Sequence, residues 1–269
     1  MIEVSELHIY PIKSCAGIQL RGVRFDDRGA QYDRRWMLVD DSGEMITQRT
    51  HPRCILARPS MLPTALQIEG PSLPPLKLPL TASGKRRRAV IWQHETEALD
   101  QGDEAAEWFT ELLGSPARLV RWADDQVRTV SKRHSDLDSQ IAFCDGYPVL
   151  LISEASLRDL NDRLEQGQRL TMARFRPNIV VKNCLPYAED EWAELHIGSL
   201  GVTLVKPCDR CSIPTVDPQT GIAGAVNPLK TLATYRRQGS TVVFGQNGIH
   251  HGFGMLRVGD PVEIRSKRP

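Results

Sequence analysis

The chain contains no hydrophobic run long enough to span a membrane. Its longest, residues 148–152, is far shorter than the roughly 20 residues that a spanning helix needs. It also lacks an excess of charge, because 34 lysines and arginines against 33 aspartates and glutamates leave +1, too little to attract nucleic acid or membranes. Six cysteines in 269 residues are too few for a disulfide-rich scaffold. The N-terminus alternates apolar and polar residues as a strand does, which a signal peptide does not. The sequence therefore predicts a soluble, cytoplasmic protein.

The short motifs of several large functional classes are absent too. The chain has no P-loop, HExxH, GxGxxG, EF-hand or GxSxG pattern, so neither a nucleotide-binding loop nor a hydrolase nucleophile elbow is indicated. One basic run, Lys85–Arg88, follows a glycine and is interpreted as an exposed hairpin turn. No aromatic ladder accompanies it, so it does not indicate nucleic-acid binding.

Short alternating segments bounded by Gly, Pro and Asp dominate the chain and indicate strands. They predict strands at residues 3–10, 18–25, 36–40, 54–58, 117–122, 147–152, 178–182, 193–197, 201–206, 241–245 and 261–265. The proline-rich stretch 62–79 is predicted to be an irregular loop with short edge strands. Helices are predicted at Asp103–Leu113, from an N-cap at Ser153 to about Gln166, and from Pro228 to about Arg237.

The predicted elements do not alternate as βαβ units, which argues against a Rossmann-type sheet. They predict a mainly β fold with some α (α+β), built of two β-barrel-like domains with a few peripheral helices. The stretch 123–146 is polar and charged and is interpreted as the crossing between the domains. The predicted boundaries are therefore 1–122 and 123–269.

The segment 206–221 places two thiols, Cys208 and Cys211, on either side of Asp209 and Arg210. A thiol binds metals and attacks electrophiles only as the thiolate, which a neighbouring cation such as Arg210 favours. A thioredoxin-like dithiol would begin a helix, whereas a proline-containing extended segment follows here. A zinc site needs four ligands, and the adjacent His250 and His251 are poorly spaced to complete one.

Two buried structural thiols are a further alternative, but they leave the charged pair between the cysteines without an explanation. The residues favour the interpretation that Cys211 is a lone metal-binding or nucleophilic sulfur. In the same loop Asp217 begins an Asp-Pro turn, where its side chain is expected to accept hydrogen bonds from the backbone. It is a candidate proton donor only if its surroundings raise its pKa.

Cations and amides occur at three other places. The turn 11–17 presents Lys13 and Ser14 together with backbone amides, a combination that suits phosphate but is common in turns. Arg34 offers a guanidinium group in the segment 33–36, although a single arginine is often only a surface residue. Arg176 and Asn178 project to the same side of an extended segment.

Eight short motifs occur in an order that resembles a known family. These are Pro11-Ile-Lys-Ser, Asp33-Arg-Arg-Trp, Asp145-Gly-Tyr-Pro, Ser153-Glu-Ala-Ser-Leu, Phe175-Arg-Pro-Asn, Lys206-Pro-Cys-Asp-Arg-Cys, Phe244-Gly-Gln-Asn and Val258-Gly-Asp-Pro. The chain resembles the MOSC-domain molybdoenzymes that carry an N-terminal MOSC-type β-barrel domain. This family includes the mitochondrial amidoxime reducing components and bacterial proteins that detoxify N-hydroxylated base analogues.

The resemblance implies a molybdenum cofactor, Mo-molybdopterin, held between the two domains. It implies that Cys211 is the metal ligand and the catalytic residue. It further implies two groups of cofactor-binding residues, Lys13, Ser14 and Arg34 from the N-terminal side, and Ser153, Arg176, Asn178 and Arg210 from the MOSC side.

The implied activity is the reduction of hydroxylamino purines, amidoximes and hydroxylamines to amines by a molybdenum-dependent oxidoreductase. Bacterial relatives often carry a plant-type C-x₄-C-x₂-C run for a [2Fe–2S] cluster, and no such run occurs here. Electrons are therefore expected from a separate donor protein, such as a ferredoxin or a flavin reductase. Nucleic-acid and membrane partners are not expected. Two alternatives stay open: a carrier of the molybdenum cofactor or of sulfur that has no turnover of its own, and a small-molecule-binding barrel with a structural CxxC.

Overall fold

The structure is a computed structural model that describes residues 1–134 and 136–268. Strands make up 42% of it and helices 15%, so the predicted mainly β class with a few helices is confirmed. The strands are β1 Glu3–Ile9, β2 Ile18–Leu20, β3 Gly22–Asp26, β4 Gly29–Ala30, β5 Trp36–Val39, β6 Arg58–Met61, β7 Ala65–Gly70, β8 Leu73–Pro79, β9 Arg86–Ile91, β10 His94–Asp100, β11 Arg118–Trp122, β12 Val149–Ser153, β13 Ile179–Lys182, β14 Trp192–Ile197, β15 Leu200–Asp209, β16 Arg237–Gln238, β17 Thr241–His251, β18 Gly254–Arg257 and β19 Val262–Lys267.

The three α-helices of the described residues are α1 Asp103–Leu113, α2 Glu154–Asp162 and α3 Pro228–Leu232. Short 3₁₀ helices occur at Pro52–Leu56, Met172–Arg174, Ala188–Asp190 and Ile213–Thr215. None of the helices in these two ranges combines the length and the apolar character that a membrane crossing requires.

Helix α1 has the predicted bounds because its signals are local. Acidic residues occupy its first turn, and Gly114 ends it in the left-handed conformation at φ 72°. Its buried face carries Ala105, Trp108, Phe109 and Leu112. This face packs in the core formed by the hairpin β7–β8 and by neighbouring strands of the first half.

The largest sheet belongs mainly to the second half and runs in the order β19-β14-β15-β17-β12-β13-β1-β2. The first strand of the chain, β1, pairs antiparallel with β13, which in turn pairs parallel with β12. Strands β1 and β2 therefore join the sheet that the second half builds, although they precede residue 122. The division of the chain into domains at residues 122 and 123 stays a prediction.

Three predicted elements of the first half differ from the structure. Residues 54–56 of the predicted strand 54–58 belong to the 3₁₀ helix Pro52–Leu56, with Pro52 at its first position, where the missing N–H costs nothing. The stretch 62–79 contains an edge strand, β8, as predicted, but this strand forms a regular hairpin with β7 instead of an irregular loop, and prolines on β8 break no ladder at the edge of the sheet. The run Lys85–Arg88 is not a turn, because Arg86–Arg88 begin β9 and pair with β10. Arg87 and Arg88 also form salt bridges with Asp100 and Glu95.

Several strands and helices of the second half end at residues other than those predicted. Strand β17 continues from the predicted end at Gly245 to His251. Gly245 has φ 79°, and a Cβ there would lie 2.5 Å from Cγ1 of Ile152, so the glycine permits close packing and does not end the strand. Helices α2 and α3 end about four residues earlier than predicted.

Candidate functional site

A cleft of about 280 Å³ lies among the loop after β1, the start of β13 and the end of β15. Seven of the eight predicted site residues line it: Lys13, Ser14, Arg34, Arg176, Asn178, Arg210 and Cys211. They come from segments far apart in the sequence, and the pairing of β1 with β13 brings two of these segments together. The eighth, Ser153, lies elsewhere.

Lys13 is held by both its backbone and its side chain. Its N–H donates to the carbonyl of Trp36 at 2.8 Å, and its Nζ donates to the carbonyl of Phe143 at 3.1 Å and to Oδ1 of Asp145 at 2.5 Å. Burial lowers the pKa of Lys13, and the attraction of the Asp145 carboxylate opposes that shift. The ammonium group is therefore fixed at the cleft wall by an exposed carboxylate.

The backbone at the cleft adopts an unusual conformation. Ser14, Arg34 and Arg176 have φ angles of 69°, 48° and 59°, in the left-handed region that non-glycine residues rarely occupy. Each such residue costs of the order of 1 kcal/mol or more, and such residues cluster at functional sites. Three of the eight non-glycine residues with positive φ in the described part of the chain therefore line the cleft.

The guanidinium of Arg34 has several partners. It forms a salt bridge with the buried Asp33, donates to Oδ1 of Asn178 at 3.2 Å and donates to the carbonyl of Arg176 at 3.3 Å. The amide of Asn178 also donates to the carbonyl of His8 at 3.2 Å. Asn178 therefore joins β1 to the segment before β13 and orients Arg34.

Arg176 differs from Arg34 in having no salt bridge within residues 1–134 and 136–268. The residue is 9% exposed, and its Nη1 donates to the carbonyl of Cys15 at 2.5 Å. Burial, helped by repulsion from Arg34, lowers the pKa of Arg176 to about 10, so it still carries its charge at neutral pH. A buried cation without a counter-charge from the protein is an expected partner for an anionic ligand.

Arg210 contacts a different sulfur from the one expected. Although it precedes Cys211 in sequence, its Nη1 lies 3.2 Å from Sγ of Cys208, and its Nη2 donates to the carbonyl of Phe175 at 2.8 Å. Its Nε is buried, with no hydrogen-bond partner in the described part of the chain. Both half-buried thiols line the cleft.

A third thiol, Cys144, also lines the cleft. Burial, with a further contribution from the Asp33 carboxylate, raises the pKa of Cys144 to about 11. Cys144 is therefore a neutral thiol at pH 7, and a neutral thiol is a poor metal ligand.

Asp217 fixes the loop that follows Cys211. Its Oδ1 accepts from the N–H groups of Gln219 at 2.8 Å and Thr220 at 3.1 Å, and its Oδ2 accepts from Arg174 at 2.7 Å. Burial tends to raise the pKa of Asp217, but these N–H donors and the Arg174 charge outweigh it and lower the pKa. Asp217 is thus ionised at neutral pH and does not serve as a proton donor.

Ser153 caps α2. Its Oγ accepts from the N–H of Ser156 at 3.0 Å, and its own N–H donates to Oε1 of the buried Glu189 at 3.0 Å. The predicted N-cap is therefore confirmed, while the fully buried Ser153 does not line the cleft described above.

We expect Ser153→Ala to lower the free energy of unfolding by about 1–2 kcal/mol, since it removes a helix cap. The affinity of the cleft for inorganic phosphate should not change. Denaturant unfolding and phosphate titration measure the two effects, with Ser153→Thr as the control that keeps the hydroxyl. If Ser153→Ala lowered the phosphate affinity without changing the free energy of unfolding, Ser153 would be a ligand-binding residue after all.

Sequence reasoning assigned no role to several residues of the cleft wall, namely Thr47, Arg49, Asp145, Tyr147, Lys206 and Asn247. Four of them, Asp145, Tyr147, Lys206 and Asn247, belong to motifs quoted above, so a signal was present without a role attached to it. Arg49 lies alone in a polar segment, and only the fold brings it to the cleft.

The cleft thus combines cations, amides and soft sulfur. In the described residues, no three or more His, Cys, Asp or Glu side chains are grouped to hold a metal ion. His250 and His251, considered for a zinc site, do not line the cleft. The arrangement suits an anionic ligand that is held by cations and amides beside a soft sulfur.

Comparison with known proteins gives matches over most of the chain. The sequence matches the MOSC N-terminal beta barrel domain over residues 1–116 and the MOSC domain over residues 138–263. Mitochondrial amidoxime reducing component 2 of Rattus norvegicus is 39% identical over 96% of this chain and 82% of its own length. The protein of the same name from Bos taurus is 37% identical over the same shares.

Mitochondrial amidoxime-reducing component 1 of Homo sapiens is 37% identical over 97% of this chain and 82% of its own length. These matches extend over nearly the whole chain and therefore include the segments whose residues line the cleft. The chain therefore belongs to the family of MOSC-domain proteins that includes the mitochondrial amidoxime-reducing components.

Proposed function

We propose that this protein is a molybdenum-cofactor-dependent reductase of N-hydroxylated compounds. The names of its relatives support amidoxime reduction, and the MOSC match supports the cofactor. The observation that carries the proposal is one cleft that holds both the thiol of Cys211 and the buried guanidinium of Arg176, which has no salt bridge within residues 1–134 and 136–268. An anionic pterin phosphate would supply the missing counter-charge, and Cys211 the missing soft ligand.

The residues present fit that cofactor. Lys13, Ser14 and Arg34 would hold it from the N-terminal side. Arg176 and Arg210 would hold it from the other side, where the Nε of Arg210 has no partner among the described residues and is available as a donor. Cys211 would bind the metal, while Asn178 orients Arg34.

When bound, the cofactor supplies the two electrons that convert R–NH–OH, with two protons, into R–NH₂ and water. The residues of this chain bind and orient it, and they fix its charge environment. The carboxylate of Asp145 favours the protonated form of the Lys13 Nζ at the cleft wall, against the effect of burial. The electrons are proposed to come from a separate donor protein. The cytoplasmic location stays a prediction, and the relatives named above are mitochondrial.

The test combines a metal analysis with an activity assay. We expect the purified full chain to contain close to one molybdenum per molecule and to oxidise reduced methyl viologen only when benzamidoxime or a hydroxylaminopurine is added. Bound molybdenum without viologen oxidation would favour the alternative of a cofactor carrier. Protein made in a molybdopterin-producing host and still free of molybdenum would contradict the proposal.

A further inference from the structure

The ring of Tyr10 lies against both arginines of the cleft. The guanidinium carbon of Arg34 is 4.4 Å from the ring centroid, and that of Arg176 is 4.2 Å from it. Tyr10 itself is 2% exposed and follows directly after β1. Two cations that reach into one cleft therefore share one aromatic partner.

The ring is fixed on several sides. Its hydroxyl donates to the carbonyl of Pro177 at 3.1 Å, and the N–H of Tyr10 donates to Oδ1 of Asp33 at 2.7 Å. A Cβ at Gly17 would lie 2.8 Å from Cδ1 of the ring, so the glycine makes room for it. Burial raises the pKa of the Tyr10 phenol, which stays neutral at physiological pH.

An aromatic face attracts a guanidinium group through its quadrupole, and the attraction increases when the pair is removed from water. A carboxylate in the same place would hold an arginine too, but it would cancel the positive charge. The ring holds the cation and leaves its charge uncancelled. Asp33 pairs with Arg34, whereas Arg176 has no carboxylate partner in the described residues. For Arg176 the ring and one carbonyl are therefore the groups that hold it in place.

We infer that Tyr10 is a positioning residue of the cleft, which fixes Arg34 and Arg176 for an anionic ligand and leaves the charge of Arg176 uncancelled. The inference rests on the proposed function in so far as the anion is the phosphate of the cofactor. Without the ring, each guanidinium loses a contact that orders it before binding, so the anion has to order both arginines itself.

A series of fluorinated phenylalanines at position 10 tests the inference, because fluorine weakens the ring face and changes its size little. The full chain is purified from a host that cannot make molybdopterin, and inorganic phosphate is titrated by calorimetry. We expect Tyr10→Phe to bind phosphate within about twofold of the unchanged protein. Successive fluorination should weaken binding stepwise, and Tyr10→Leu should weaken it about tenfold, as expected for lost contacts of this kind.

Tyr235 provides the matched control. Its ring lies 4.3 Å from the guanidinium carbon of Arg163, at the end of α2 and outside the cleft. The same fluorinated series at position 235 should leave the phosphate affinity unchanged. A second readout is the molybdenum content of each variant made in a host that supplies molybdopterin, which should follow the order of the phosphate affinities.

Three results would overturn the inference. These are a phosphate affinity that does not change or that increases with fluorination, a Tyr10→Phe variant as weak as Tyr10→Leu, and an unchanged protein that does not bind phosphate. The second result would place the effect on the hydroxyl bonded to Pro177. Failure of the proposed function looks different, because phosphate affinity would follow the ring while the unchanged protein contained no molybdenum.

Discussion

Cys211→Ala is expected to abolish the reduction of N-hydroxylated substrates. Changes to residues that only support a metal ligand cost about 10–100-fold, so removal of the proposed ligand itself should cost more than about 100-fold. Viologen-linked turnover of benzamidoxime measures the loss. The molybdenum content should fall less than the activity, because Lys13, Arg34 and Arg176 continue to bind the pterin phosphate.

Two other cysteines serve as controls. Cys184→Ala should keep full activity, because this residue lies outside the cleft. Cys208→Ala should keep measurable activity, since Cys208 contacts Arg210 and is not the proposed ligand. Full activity in Cys211→Ala, or complete loss in Cys208→Ala alone, would show that the ligand has been assigned to the wrong sulfur.

Arg176→Met should separate binding from stability. We expect the molybdenum content to fall more than about tenfold, because the variant lacks the cation that is proposed to bind the anionic phosphate. The free energy of unfolding of the cofactor-free chain should change by less than about 1 kcal/mol, because removal of a buried unpaired charge also removes its desolvation cost. Metal analysis and denaturant unfolding give the two values.

Arg174→Met is the matched control, two residues away and equally buried. Arg174 forms a salt bridge with Asp217 at 2.7 Å and donates to the carbonyl of Val216 at 2.9 Å. Arg174→Met should lower the free energy of unfolding by about 2–3 kcal/mol. This is less than the roughly 3–5 kcal/mol expected for breaking a fully buried pair, because the Asp217 side chain is 30% exposed. A larger loss of stability in Arg176→Met than in Arg174→Met would refute the interpretation that Arg176 serves ligand binding and not the stability of the fold.

The sequence predicted the elements and residues whose signals are local. Helix α1 has its acidic first turn and its final glycine within a dozen residues, so its bounds could be predicted without the fold. The cap at Ser153 has a similar local signal. The binding role of Ser153 came from the family resemblance and not from this local signal, and it stays a prediction for a residue that is fully buried as the cap of α2.

Features that depend on distant contacts could not be predicted. Nothing near Tyr10 indicates that its ring contacts Arg34 and Arg176, since these contacts arise only after β1 pairs with β13. Sequence adjacency suggested that Arg210 favours ionisation of Cys211, but the strand geometry at the end of β15 turns its guanidinium towards Cys208. Neighbours in sequence are a poor guide to neighbours in a loop that follows a strand.

The pairing of β1 in the sheet of the second half has a consequence for biosynthesis. The N–H of Val4 donates to the carbonyl of Asp260 at 2.9 Å, and that of Val262 donates to the carbonyl of Ile2 at 2.9 Å. The residues near Val4 therefore leave the ribosome well before their partners, which are made more than 250 residues later. The proposed cofactor is accordingly expected to enter the cleft only after these partners are made, and a ribosome-stalled chain ending before β13 should not capture it.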